Sequence, residues 1–524
     1  MQKVKIKRIS RVGKVNQVYD VTTGSGTFIC NNIYVHNCSG HSLRFLQKFG
    51  LDGFLENLQS TSKPASHART LTGHLNTFLS SIQSQYNGAL GIGFINIFYA
   101  PYVEKLTFEQ MKQEAQYLIF STSQNAFSRG GQSLFIDYGI QSGIPHFLRD
   151  IKAIGPGGKE LNKTYGDFEE VAQKFAKAMM EVWFEGDKHG VPFFFPKLMF
   201  NCDSKTFSDP KQLKLFEYAC EIAAHNGSTY FVFNRGEEAE ESVRISQCCR
   251  LVETITDPEM IKHPESFRFC GVQNVTINLP HAAFRAKGDL EKTIENIERY
   301  MDIAMKAHLQ KKKFLESLMK PGLPLWQVGK PSSDGKPYIN LDKSTYIIGM
   351  LGLNECVKKI TGKELHESEE AYKIGLKIIT AMFLKTKKLT KENNLKVSLE
   401  ESPAESASYR LAKIDMSIFP EAKDYVNGNI KDGIVYYSNS IHFRADAPIS
   451  IFQRIEGQSK FHPLIEAGAI VHVFLGEEKP SPKAIESIVK KTWENTQCAQ
   501  LVFSPTFMIC DDCHNISRSK AYPN

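Results

Sequence analysis

From Cys38 onward, short apolar stretches with strand character alternate with amphipathic stretches of helical period, and the alternation continues to Val473. No other feature constrains the fold as much. A chain that keeps returning from helix to strand builds a largely parallel sheet covered by helices, so the expected class is α/β. Ser42–Leu58 and His67–Gln83 read as helices, and Thr70, His74, Thr77 and Phe78 share one face of the second. Ala89–Phe98 reads as an apolar strand. Its Gly91 and Gly93 lack the Lys-Ser/Thr of a phosphate loop and instead suit close backbone packing. Phe108–Ser128, Phe168–Glu185 and Pro210–Asn226 read as helices, Ser133–Tyr138 and Pro192–Phe200 as strands. Residues 1–37 differ in kind. They alternate apolar and polar positions around a Gly24–Gly26 turn, the pattern of a small all-β unit.

With 524 residues there is enough chain for several domains or one large barrel. The apolar share of 42% and charged share of 23% are those of a water-soluble globular protein. A net charge of +7 is slight at this length and argues against direct nucleic-acid or membrane binding. The Lys311–Lys313 cluster and the Lys385–Lys396 stretch read as solvated faces. No apolar segment has signal-peptide or membrane-spanning form, so a cytoplasmic location is expected. The 11 cysteines are then expected as reduced thiols, available for chemistry or metal.

Tyr34-Val35-His36-Asn37-Cys38 carries a distinct chemistry. An asparagine amide can attack its own backbone carbonyl, form a succinimide and cut the chain after itself. The adjacent Cys38 supplies a nucleophile, and His36 can protonate the leaving amine. Alone, the tripeptide also fits the end of an ordinary β unit. With Val18-Tyr19-Asp20-Val21 and the stretch Phe28–Val35 before it, Met1–Asn37 resembles the C-terminal fragment of a split intein, although Gly26 stands where many inteins carry a histidine. The resemblance implies splicing residues Asp20, His36, Asn37 and Cys38. Because Met1 opens directly on this fragment, the expected partner is an upstream polypeptide ending in an N-intein.

The remainder is similar to the anaerobic, class III ribonucleotide reductases, which are glycyl-radical enzymes. The resemblance rests on Cys38–Arg44, Lys63–Asn76, Asn125–Gln132, Gln247–Arg250, Val275–Pro280, Gly349–Glu355, Ser402–Ser406, Phe461–Ile465 and Cys510–Cys513, in the family's order. It implies a ten-stranded α/β barrel of two five-stranded halves over residues 38–505, with a finger loop inside. The loop's thiyl-forming cysteine is expected at Cys249, with Cys248 as the alternative. Cys38 falls at the second active-site cysteine, Asn278 in the substrate site, and Ser402, Ala404, Glu405 and Ser406 in a loop meeting substrate phosphates. Without the family, that loop also fits an ordinary Pro turn with a helix cap. His67 and His74 have no carboxylate partner nearby in sequence and read as core or loop histidines.

Cys510-Asp-Asp-Cys513-His514 formally fits c-type haem attachment, but that needs export. The resemblance makes Cys510 and Cys513 half of a zinc site, in a C-terminal segment 506–524. Neither a second cysteine pair nor the family's radical glycine follows. The expected function is therefore anaerobic reduction of ribonucleoside triphosphates to deoxyribonucleotides, completed by splicing, with the isolated chain inactive. The glycyl radical would be generated on the missing part by an S-adenosylmethionine-dependent iron–sulfur activase. ATP and dNTP effectors and a homodimer are the family's remaining partners. The alternatives are a splicing-competent precursor or remnant without reductase activity, and a zinc-ribbon nucleic-acid-binding protein.

Overall fold

The computed structural model describes residues 38–51, 58–86, 88–126, 133–235, 243–247, 250–255, 257–402, 404–476, 479–506, 508–509 and 516–517. The expected sites at Asp20, His36, Asn37, Cys248, Cys249, Cys510 and Cys513 lie outside these residues, as do Pro403 and the side chain of Glu405.

Ten strands form one mixed sheet. In chain order they are β1 (Ser39–His41), β2 (Leu90–Ile92), β3 (Ile136–Gln141), β4 (Lys197–Cys202), β5 (Thr229–Phe233), β6 (Arg268–Asn278), β7 (Thr345–Leu351), β8 (Lys396–Glu401), β9 (Val471–Gly476) and β10 (Gln500–Pro505). Their spatial order is β8-β7-β6-β1-β2-β3-β4-β5-β10-β9. Strands β1 to β5 pair in parallel. So do β6-β7-β8 and β9-β10. The two antiparallel joins are β1 with β6 and β5 with β10. Every parallel connection is long enough to hold a crossover helix. The segment entering β9 runs beside the outer strand β8. Ala467 N–H donates to Leu399 O at 2.9 Å, and Glu401 N–H donates to Gly468 O at 3.1 Å.

The sequence pattern follows from burial on both faces. All residues of β3 and β7 are buried; β7 reads as a near-continuous apolar run, whereas β3 carries the buried polar residues Asp137 and Gln141 between its apolar ones. Helices Phe108–Ser123, Glu169–Glu185 and Pro210–Asn226 cover the first half, and Leu290–Leu318 and Glu369–Asn393 the second. Among the described residues no helix is long and apolar enough to cross a membrane.

Three expectations about elements need correction. Ala89–Phe98 is not one strand. The strand stops at Ile92, Gly93 and Phe94 turn the chain with Phe94 at φ 57°, and Ile95–Val103 is a helix. All nine residues of that helix are buried, so no polar face reveals its period. The helix expected over Ser42–Leu58 covers Leu43–Phe49. Gly50, at φ 68°, ends it by donating its N–H to Leu46 O. The strand expected from Pro192 begins only at Lys197.

Candidate active site

A hairpin rises against the inner side of the sheet. Val243–Ser246 pairs antiparallel with Val252–Ile255, and Gln247 N–H donates to Leu251 O at 2.9 Å across the turn. Two glycines admit it. A methyl group on Gly91 of β2 would overlap the Ser246 carbonyl oxygen and stand 2.9 Å from Gln247 Cα. On the other flank, Gly468 adopts φ 138°, and a methyl there would stand 2.5 Å from the Arg250 carbonyl carbon. Gln500 Nε2 donates to Arg250 O at 2.7 Å. Residues 247 and 250 are thereby held from both sides, and the expected thiyl position lies between them in sequence.

Cys38 sits at the mouth of β1 and is 8% exposed. Its Sγ accepts the Ala89 N–H at 3.3 Å, and its carbonyl accepts the Gly271 N–H at 3.0 Å. It shares one buried cluster with Ala89, Leu251, Ile347 and Ala467. Leu251 belongs to the hairpin, so the structure brings Cys38 and the hairpin tip region together.

At the end of β8, Glu401 is fully buried. Its Oε2 accepts His442 Nε2–H at 3.1 Å and Ile470 N–H at 3.1 Å, and Arg250 Nε stands 3.7 Å away. Burial alone would raise its pKa, but His442, His462 and Arg250 overcome this and hold the carboxyl at about 2. His462 Nδ1 accepts the Ala499 N–H at 2.9 Å, and burial pushes this histidine down to about 4. Glu401 thus fixes the hairpin residue Arg250 to the strand edge through charge.

Strands β6, β7 and β8 are parallel, so their C-terminal ends lie on one side, each followed by a helix. Asn278 ends β6. Its Nδ2 donates to Asp415 Oδ2 at 2.9 Å, and its Oδ1 caps the helix Leu279–Arg285. Asp415 also accepts from His281 Nδ1–H at 2.6 Å and Tyr437 OH at 3.0 Å. Arg285 Nε–H donates to His281 Nε2 at 2.9 Å, which fixes the histidine tautomer. Burial first, then Asp415, raises the pKa of the Tyr437 phenol.

Ser402 follows β8, is 1% exposed, and has its hydroxyl 2.7 Å from Thr276 Oγ1 and 3.3 Å from Asn274 Oδ1. Gly349 makes the room, since a methyl there would overlap both Ser402 Oγ and Asn274 Oδ1. Ala404 at φ 45° caps the helix Glu405–Ile418, and Ser406 is exposed in its first turn. The loop expected at Ser402–Ser406 therefore does open a helix, but its buried hydroxyl at Ser402 is engaged within the protein. Sequence reasoning missed Glu401, although it precedes the noted Ser402 motif, and His462, although it lies inside Phe461–Ile465. Nothing local marks Asp415, which sits in the last turn of the helix Glu405–Ile418.

A family model described as anaerobic ribonucleoside-triphosphate reductase matches residues 30–522. The reductase of that description from Enterobacteria phage T4 is 25% identical over 225 residues, covering 41% of this chain and 34% of the relative. The one from Salmonella typhimurium is 23% identical over 222 residues, covering 41% and 30%. The chain thus spans about a third of the length of the curated relatives it matches. The anaerobic ribonucleotide reductase from Thermotoga maritima in complex with dATP and CTP superposes with a TM-score of 0.72 at 18% identity, covering 92% of this chain and 76% of the other. The B12-independent glycerol dehydratase from Clostridium butyricum gives 0.56 at 11% identity, over 84% and 61%. These last two likenesses concern the fold. A large mixed sheet, an interior hairpin gripped by glycines and a family match over nearly the whole described chain lead to one conclusion: this protein belongs to the anaerobic ribonucleoside-triphosphate reductase family.

Proposed function

We propose that, after splicing, this chain carries the reduction of ribonucleoside triphosphates to 2′-deoxyribonucleoside triphosphates by radical chemistry inside the sheet, which we read as a ten-stranded barrel. The observation that carries the reading is the hairpin seated between Gly91 and Gly468, with Leu251 packed on Cys38. The backbone hydrogen bonds between β8 and the segment entering β9 support closure of the sheet. Cys249, which lies between Gln247 and Arg250 in sequence, is the thiyl position that takes a hydrogen atom from the ribose, and Cys38 is the second thiol. Both need a dry interior, and the burial of Cys38, Leu251 and Arg250 supports that. Asn278 orients the substrate beside Asp415. The first turn of helix Glu405–Ile418, with Ala404, Glu405 and Ser406, meets the phosphates through free backbone N–H groups, and Ser402 braces the loop. The glycyl radical, formed by an S-adenosylmethionine-dependent iron–sulfur activase, supplies the oxidising equivalent when present. The chain acts in the cytoplasm as a homodimer under ATP and dNTP control. Cys510 and Cys513 offer two of the four thiolates that a structural zinc takes, which suits the donor chemistry of zinc and fills half its coordination.

The reading extends to Cys38 as a splice junction. Asn37 cyclises, His36 and Asp20 assist, and Cys38 becomes the first residue of the downstream product. Mixing the chain with an N-intein-bearing polypeptide is expected to release a peptide of residues 1–37, detected by mass spectrometry. Ligation that survives Asn37→Ala would remove the junction from the account.

A further inference from the structure

Strand β10 opens Gln-Leu-Val-Phe, and all four residues are buried. Gln500 is the polar exception, fully buried beside Leu501, Val502 and Phe503. An amide in such a place costs free energy unless it finds hydrogen-bond partners. Gln500 directs its donor at the hairpin, from Nε2 to Arg250 O at 2.7 Å. Its own backbone is fixed. It pairs with Val232 of β5, and Cys498 Sγ–H donates to Gln500 O at 3.1 Å. The amide therefore projects from a rigid part of the sheet.

The bond meets the hairpin at one defined peptide. Arg250 is 7% exposed, and its carbonyl oxygen lies so close to Gly468 that a methyl there would stand 1.8 Å from it. A carbonyl buried in this way needs a donor, and Gln500 supplies one. Arg250 is joined to Cys249 by a single peptide link, which spans about 3.8 Å between α-carbons. A constraint on the Arg250 peptide is thus a constraint on the residue before it. Glu401 acts on Arg250 as well, but its Oε2 stands 3.7 Å from Nε. That separation carries charge attraction and no hydrogen bond, so the directional hold comes from Gln500. Asn278 and Ser402 belong to β6 and to the segment after β8, so Gln500 stands on a different strand from either.

We propose that Gln500 is a positioning residue for the radical step: its amide fixes the Arg250 peptide and so sets the distance over which the Cys249 thiyl takes hydrogen from the ribose. In that step a ribose C–H bond breaks, a Cys249 S–H bond forms and the unpaired electron passes to the ribose carbon. The oxidising equivalent is the one stored on the glycyl radical. Gln500 itself makes and breaks no covalent bond. This rests on the function proposed above and adds the residue that aims its radical.

The test compares the spliced, completed and activated protein as wild type, Gln500→Leu and Gln212→Leu. Leucine is close to glutamine in size and has no donor. Gln212, on the covering helix Pro210–Asn226, is 4% exposed and accepts from the Ser142 hydroxyl at 2.9 Å, so its replacement removes a buried amide bond of similar kind. The glycyl signal, kcat, KM and the isotope effect with a ribonucleotide deuterated on its ribose carbons are measured for each. Gln500→Leu is expected to keep the glycyl signal and KM and to lose about 10- to 100-fold in kcat, the scale of a small misplacement of reacting atoms. Its isotope effect on kcat should exceed that of wild type, because hydrogen transfer over a longer distance becomes the slow step. Gln212→Leu should match wild type in kcat and isotope effect. Gln500→Met, unbranched like glutamine, reports the same comparison if the leucine variant is poorly folded. Wild-type kcat and isotope effect in the folded Gln500 variants overturn this inference and leave the proposed function standing. A kcat loss shared equally by Gln212→Leu, with no change in isotope effect, also overturns it, since that is a general loss of packing. A wild-type protein that carries the glycyl radical and forms no product overturns the proposed function itself.

Discussion

The substitution Gly91→Ala isolates the fit between strand β2 and the hairpin. Gly91 is not in the left-handed region, so alanine meets no backbone penalty there and any cost is steric. The new methyl would stand 2.9 Å from both Gln247 Cα and the Ser246 carbonyl carbon. Ordinary carbon contacts are about 3.5–4.0 Å, so hairpin or strand must retreat by about 1 Å. Both are backbone in a packed interior, and neither can swing aside. Overpacking of this kind costs about 1–3 kcal/mol. Gly73→Ala is the control. It lies inside helix Ala68–Gln83 with nothing within 4 Å, and alanine should stabilise there by about 1 kcal/mol through helix propensity. Urea denaturation of the three proteins is expected to move the midpoint down for Gly91→Ala and up for Gly73→Ala, with unchanged slopes. In the spliced, activated protein a 1 Å displacement of the tip should lower turnover by about 10²-fold. A Gly91→Ala protein with wild-type stability and turnover would refute the claim that this glycine seats the hairpin.

Two further outcomes follow from charge and coordination. The Glu401 carboxyl is held at about 2 in the folded protein, below the ordinary 4.5 of a glutamate, so it adds stability above pH 4.5 that is lost as pH falls through 2. Glu401→Gln should therefore destabilise by about 3 kcal/mol at neutral pH, and the gap should narrow by more than half between about pH 5 and pH 3, followed by denaturation at each pH. For metal, Cys510 and Cys513 are proposed as zinc ligands, so Cys510→Ser and Cys513→Ser should each lower the zinc that survives mild chelation; unchanged zinc in both variants would contradict the assignment.

Much of the fold was legible because parallel strands and amphipathic helices leave separate signatures. Helix Pro210–Asn226 has the expected bounds, with its Asp209 cap and Gly227 stop. Gly91 was readable as a close backbone approach because an apolar strand has little other use for glycine, and the structure supplies the backbone it approaches. The helix Ile95–Val103 was hidden because complete burial erases its period. The Lys385–Lys396 stretch was read as solvated, yet Lys385 is 8% exposed and paired with Asp302 at 2.7 Å, a partner no local pattern could name. The polar interior was harder still. Asp415 and Glu401 become part of a candidate site only through register, crossover and the approach of β8 to the segment before β9. Those relations link residues such as Asn278 and Asp415, 137 positions apart.

The central claim, that Cys249 relays a radical from glycine to ribose, is tested most directly by one paired measurement. The spliced and completed protein, wild type and Cys249→Ser, is treated anaerobically with the activase. The glycyl signal is then recorded by electron paramagnetic resonance and deoxyribonucleotide product is quantified in the same samples. Equal glycyl signals are expected, with product from wild type and none from Cys249→Ser, because the radical is stored but cannot reach the substrate. Product formation by Cys249→Ser at the wild-type rate would contradict it.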